Sequence, residues 1–217
     1  MKPAIGIFGG SFNPVHHGHL RSALDVCQHL NLQQVTFMPA FVSPHKTNHE
    51  NASAEISNDH RFSMLKIATN DCEQFVVSDY EIKQPKTSFT IETLEHLRQQ
   101  NPDAPLVFLM GMDSLVNFTT WHRWQDILAL CHLVVSHRPG YHIDNNSPAK
   151  DLLSKYKTIT LETLHTTLGG SIYLHQDHPL SISSSDIRAL TNQGHSIAYL
   201  TPPSVENYIK QHQLYLS

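Results

Sequence analysis

The chain has 217 residues, 40% apolar and 16% charged, with a formal net charge of −4 when its 17 histidines are neutral. That length suits one domain with a core of its own, and the acidic balance argues against a general nucleic-acid binder, which presents a basic face. Cys27, Cys72 and Cys131 are far apart, so neither a zinc knuckle nor a disulfide framework is indicated; nothing approaches the roughly 20 apolar residues of a membrane span, and the start does not read as a secretory signal.

In chain order, Ile5 to Phe8 reads as a strand that breaks at Gly9-Gly10-Ser11-Phe12. Asn13-Pro14 turns the chain, and a helical pattern starts near Gly18, with Leu20, Ala23, Leu24, Cys27 and Leu30 on its apolar stripe. A strand, a glycine turn and a helix start form a phosphate cradle, because unpaired N–H groups point at the anion. His16 and His19 lie at that helix start, where imidazoles can donate to a polyphosphate. The stretch is neither a Rossmann G-x-G-x-x-G nor a Walker A loop. Val35 to Met38 is a second strand, giving a βαβ unit and so a parallel sheet.

Residues 40–57 are rich in Pro, Asn and Ser and read as a long loop. Its His45-Lys46 places a cation where an anionic group could bind, or simply in solvent. A helix follows over Asn58–Asn70, with Phe62, Leu65, Ile67 and Ala68 as its inner face. Phe75 to Val77 is a third strand. Thr87 or Ser88 is expected to cap the helix carrying Ile91, Leu94 and Leu97, and Ser88 and Thr90 have capping as an alternative to ligand binding. Leu106 to Met110 is the most apolar run, as a central parallel strand requires. It delivers Gly111 and Asp113 to the strand end, where α/β sheets bind ligands. Trp121 and Trp124 are the only tryptophans, and one can be core while the other stacks on a base.

Leu133 to Val135 forms the next strand, and it leads to Arg138, which suits a phosphate or a shaping acid. Residues 141–170 are irregular and read as a surface excursion, with a helix at Pro148–Tyr156 and a strand-like piece at Thr158–Leu161. His165, His175 and His178 match no common metal site, and no metal-ligating residues are assigned. Ile172 to Leu174 is read as the last core strand. Ile182-Ser183-Ser184-Ser185-Asp186-Ile187-Arg188 then offers hydroxyls, a helix start and a guanidinium one turn on, a second phosphate-holding set. Pro202-Pro203-Ser204 opens a closing helix.

His16-His17-Gly18-His19 together with the Ile182–Arg188 run resembles the paired motifs of the nucleotidylyltransferase superfamily. The opening GIFGGSFNPVHHGH resembles the bacterial nicotinate-nucleotide adenylyltransferases most, and PHK, TSFT, GMDSL, the Trp121 region and HRPG fall in that family's order. The resemblance covers nearly the whole chain. It implies a Rossmann-like, doubly wound α/β fold, a mainly parallel sheet of five or six strands with helices on both faces, in one domain over 1–217. It implies catalytic roles for His16, His19 and Arg188. It places ATP on Gly9, Gly10, Ser11, Phe12, Gly18, Gly111, Asp113, Ser184, Ser185 and Arg188, and the mononucleotide on Lys46, His45, Ser88, Phe89, Thr90, Trp121 and Arg138. Phe89 stands where the family usually has tyrosine, which keeps a stacking face and loses a hydroxyl.

The reaction so implied is adenylyl transfer from ATP to nicotinate mononucleotide, by direct in-line attack without a covalent enzyme intermediate. Mg²⁺ would accompany ATP, held mainly by phosphates. The alternatives are nicotinamide mononucleotide or phosphopantetheine as acceptor, or a non-catalytic nucleotide-binding regulator. A cytoplasmic enzyme with no nucleic-acid or membrane partner is expected, and the sequence leaves homo-oligomerisation open.

Overall fold

The computed structural model describes residues 2–42, 56–137, 143–144, 147–176, 178 and 180–216. Seven parallel strands form one sheet in the order β3-β2-β1-β4-β5-β7-β6. They are β1 (Ile5–Gly10), β2 (Gln34–Pro39), β3 (Phe75–Val77), β4 (Leu106–Gly111), β5 (His132–His137), β6 (Lys157–Thr158) and β7 (Ile172–Gln176). The expected five or six strands become seven because β6, two residues long, adds itself outside β7. So short an element has no period for a sequence to show.

Alternation along the strands builds a core on each face. On one face Val35, Phe37, Val107, Leu109 and Val134 pack with α1 (His17–His29), α2 (Asn58–Thr69), α7 (Leu161–Thr166), α8 (Ser184–Asn192) and α9 (Pro203–Gln211). On the other, Ile7, Leu106, Phe108, Met110, Leu133, Val135 and Ile172 pack with α3 (Thr90–Gln100), α4 (Met112–Val116), α5 (Trp124–Leu130) and α6 (Pro148–Tyr156). The winding direction reverses between β1 and β4, so the cleft falls at their carboxyl ends. No helix among the described residues is long and apolar enough to cross a membrane.

Three local expectations are corrected. The described part of 141–170 is no mere surface excursion: it gives the sheet β6 and buries Ala149, Leu152 and Leu164. On α2 the expected Leu65 is buried and Ile67 and Ala68 pack half-buried against the same core, but Arg61, Met64 and Thr69 are buried as well and Phe62 is not part of that core. The N-cap of α3 is Phe89 rather than Thr87 or Ser88, and it makes no side-chain cap bond.

Candidate active site

The cleft begins where β1 runs out of strand. Phe12 adopts a left-handed φ of 46° and turns its ring into the core against Phe8, Phe37 and His19. Asn13-Pro14 is a cis peptide, and α1 starts at His17 with His16 as its N-cap. The two motif histidines form a reciprocal cap. The His19 backbone N–H donates to His16 Nδ1 at 3.4 Å, and the His16 N–H donates to His19 Nδ1 at 3.3 Å. Their rings stack with centroids 3.6 Å apart.

This cap fixes the chemistry of both rings. Each Nδ1 accepts, so a neutral imidazole carries its proton on Nε2. Burial, assisted by the field of His17, lowers the His16 pKa to about 4. Burial and then His16 hold His19 well below its ordinary value. Both rings are therefore neutral Nε2–H donors at physiological pH. Gly18 leaves the His16 ring its place, because a Cβ there would lie 3.0 Å from His16 Nδ1 and 3.1 Å from its Cε1, and the ring would have to give by a few tenths of an ångström.

The carboxyl-terminal motif meets this turn directly. Ser184 Oγ donates to Pro14 O at 2.8 Å, and Arg188 Nη1 donates to Asn13 O at 2.8 Å. Thr201 Oγ1 donates to Val15 O and Tyr215 O–H to Asn13 Oδ1, at 2.8 and 2.7 Å. Distant chain segments thus build one loop.

Two lobes open around it. The first, about 580 Å³, is lined by Gly9, His16, Gly18, His19, Gly111, Asp113, Trp121, Ser183 and Ser184, and also by Ser22, Ser136, His178 and Leu180. Ser22 and Ser136 share a hydroxyl contact of 2.8 Å. A Cβ on Gly111 would strike the Asp113 carboxylate, so the glycine lets that exposed acid sit at the strand end. The second lobe, about 500 Å³, is lined by Gly9, Gly10, Glu81, Ser88, Phe89, Thr90, Thr93, Trp121 and His122. Gly9, Phe108, Ser114 and Trp121 belong to both lobes. Trp121 stands edge-on to Phe108, centroids 6.0 Å apart, and Phe89 lies 5.0 Å from His122.

Some expected ligand groups sit differently. The Phe12 side chain is buried and lines neither lobe, which leaves only its backbone available. Ser11, Ser185 and Arg188 also lie off the lining of both lobes, and Ser185 is exposed. Ser88 Oγ accepts from the Phe41 N–H at 3.0 Å. His45, Lys46 and Arg138 fall outside the described residues.

Several contributors carried no sequence signal. Glu81 is buried in the second lobe and accepts from Thr93 Oγ1 at 2.6 Å. Burial pushes its carboxyl above the ordinary range, against the opposing bonds from Thr93 and Ser88. Arg61, also buried, donates to Ser11 O at 2.6 Å and to Ala40 O and Phe41 O, stapling the loops after β1 and β2 together. The described residues contain no cluster of three or more His, Cys, Asp or Glu able to hold a metal. Among the described residues Asp113 is the one carboxylate lining the first lobe.

Residues 7–190 match the cytidylyltransferase-like family. A protein of Psychromonas ingrahamii named probable nicotinate-nucleotide adenylyltransferase is 42% identical over 215 residues, covering 99% of this chain and 98% of that one. One of the same name from Aeromonas salmonicida is 41% identical over 215 residues, covering 99% and 98%. The solved Plasmodium falciparum nicotinic acid mononucleotide adenylyltransferase, complexed with NaAD, is similar with a TM-score of 0.73 and 20% identity, covering 99% of this chain and 98% of that chain. At that identity the likeness speaks for the fold.

Proposed function

The chain belongs to the cytidylyltransferase-like family and, within it, to the nicotinate-nucleotide adenylyltransferases, and from that membership and the two-lobed cleft we infer how its residues work. It transfers the adenylyl group of ATP to nicotinate mononucleotide, giving nicotinic acid adenine dinucleotide and pyrophosphate. The observation that carries the residue-level reading is the meeting of the two motifs: Ser184 and Arg188 hold the turn that leads into His16 and His19.

In this reading ATP occupies the lobe lined by His16, His19, Asp113 and Ser184, and the mononucleotide occupies the lobe lined by Ser88, Phe89, Thr90 and Trp121. The reacting phosphates meet at Gly9, which both lobes share. The attacking phosphate is already an anion and needs no general base. No protein nucleophile is required either. Burial raises the Cys27 thiol to about 11 and pushes Cys131 higher still, so neither is a thiolate at neutral pH.

The protein's work is alignment and stabilisation of developing charge. His16 and His19 donate Nε2–H to the triphosphate. Arg188, off the lobe lining, keeps further N–H donors beyond the one given to Asn13, and Ser184 lines the lobe at the start of α8, where the Ser183 hydroxyl accepts the Asp186 N–H. Lys46, His45 and Arg138 are assigned to the mononucleotide on the family resemblance. The pyridine carboxylate goes to the start of α3. That helix has no side-chain cap, so its first N–H groups and its dipole favour an anion over a neutral amide. Phe89 and Trp121 supply the ring faces.

Mg²⁺ fits this donor set as a companion of ATP, carried by phosphates and water, with Asp113 the acid that lines the lobe among the described residues. When bound it neutralises triphosphate charge. Both substrates are soluble nucleotides, which suits a cytoplasmic enzyme.

The test offers nicotinate mononucleotide, nicotinamide mononucleotide and phosphopantetheine in turn with Mg-ATP, and measures pyrophosphate. The acid is expected to be preferred. Preference for the amide would overturn the α3 assignment, and ATP binding without turnover on any acceptor would favour a regulator.

A further inference from the structure

His178 lies in the loop between β7 and α8, and its side chain is 85% exposed and lines the ATP lobe. Its ring is nonetheless held. Asp25 of α1 is 8% exposed, and its Oδ2 accepts both the His178 backbone N–H at 3.1 Å and His178 Nδ1–H at 3.0 Å. Asp25 Oδ1 is occupied by Arg21. Those hydrogen bonds from Arg21 and His178 outweigh burial and hold the Asp25 carboxyl below its ordinary range. A charged acid is thus committed to the aim of one cleft-lining imidazole.

The position suits the base of the nucleotide. Gly18, Ser22 and Asp25 recur along one face of α1, and Gly18 and Ser22 line the lobe. From Gly18 beside the motif histidines to Asp25 is seven residues, about 10 Å of helix. That distance is comparable with the reach from the α-phosphate of ATP to the far edge of its purine. Leu180, two positions further on, adds an apolar surface to the same lobe.

We propose that Asp25 and His178 read the purine: Asp25 is the positioning residue, and His178 Nε2 accepts a hydrogen bond from the 6-amino group of adenine. With Nδ1–H given to Asp25, the neutral ring can only accept at Nε2. A 6-oxo purine presents an acceptor there and leaves both groups unpaired. The proposal rests on ATP occupying this lobe.

Wild-type enzyme with nicotinate mononucleotide is first shown to turn over ATP; failure at that step sinks the functional reading rather than this one. kcat/KM is then compared for ATP, inosine triphosphate and the triphosphate of purine riboside, which lacks any 6-substituent. ATP is expected to lead purine riboside triphosphate by about five- to tenfold, as one exposed-side hydrogen bond allows. His178→Leu should remove that lead through KM for ATP, leaving the purine riboside rate and KM for the mononucleotide unchanged. His178→Gln, which can present a carbonyl, should recover part of it. Asp25→Asn should weaken the lead in the wild-type background and change nothing further in His178→Leu. An unaltered ATP preference in a folded His178→Leu, or a loss confined to the 6-oxo substrate, overturns the proposal.

Discussion

Gly18→Ala separates the site from the fold. The added Cβ would sit 3.0 Å from His16 Nδ1 and 3.1 Å from His16 Cε1. His16 has little room to yield: it is 5% exposed and stacked on His19 at 3.6 Å. A shift of a few tenths of an ångström lengthens the bond that His19 N–H donates to Nδ1 and re-aims the stacked Nε2–H donors. A misplacement of about 1 Å can cost about 10²-fold in rate, so this smaller shift should cost on the order of several-fold. Stability should barely change. Alanine in a helix gains up to about 1 kcal/mol over glycine, and the disturbed cap loses about 1 kcal/mol. For a chain of this size that balance keeps Tm within about 4 °C of wild type. Pyrophosphate release under saturating substrates and a thermal melt read the two quantities separately. Wild-type kcat in Gly18→Ala would show that the paired imidazoles need not hold this geometry.

Other substitutions test the residues that sequence alone left unmarked. Arg61→Leu removes the donor shared by Ser11 O, Ala40 O and Phe41 O and strands those carbonyls; a loss of about 2–4 kcal/mol is expected in denaturant unfolding, and an unchanged midpoint would show that the staple is idle. Glu81→Gln keeps an acceptor for Thr93 and removes a buried charge. The Glu81 pKa is raised on folding, so the unfolded chain releases its proton first and wild-type stability falls as pH rises above 4.5 through the folded value. Melts from pH 4 to 8 should therefore find Glu81→Gln the more stable at the upper end, the difference shrinking towards pH 4; a constant difference would contradict the sign. His16 acts in the opposite sense: its pKa is lowered to about 4, so its contribution is complete above 6.5 and is lost as pH falls towards 4. In His16→Asn, which still offers an oxygen to the His19 N–H, that part of the acid loss should disappear from the melting profile.

The strands β1 to β5 and β7, the helices α1, α2, α3, α6, α8 and α9 and both sequence motifs could be read directly, because glycine turns and apolar runs are local signals, whereas the short α4, α5, α7 and β6 could not. What escaped is long-range or charged. Arg61 looks like any solvated helix arginine until its partners, Ser11 O, 50 residues away, and Ala40 O, come into place. His178 meets Asp25 across 153 positions, and nothing near either residue marks the pair. Glu81 reads as one acid in a polar turn, yet it is buried in a binding lobe. Phe12 errs the other way: glycines and a serine precede it, but its ring fills the core and its left-handed backbone makes the turn.

How the two motifs depend on each other in this chain follows from what Ser184 and Arg188 hold. They are separated from Pro14 and Asn13 by 170 and 175 residues, and their hydrogen bonds go to main-chain carbonyls of the turn. Carbonyls in a turn enclosed by Phe12, Val15 and His16 must find donors, and leaving one unmade costs about 1–3 kcal/mol. The bringing together of the chain ends is already accomplished by the sheet, since β1 lies between β2 and β4 while β7 sits beyond β5. The late serine and arginine therefore complete the shape of the first motif before any nucleotide arrives. In the proposed reading, a triphosphate entering the first lobe then meets the imidazoles of His16 and His19 and the Ser184 hydroxyl already fixed relative to one another, which is the condition for donors to stabilise a transition state without first reorganising.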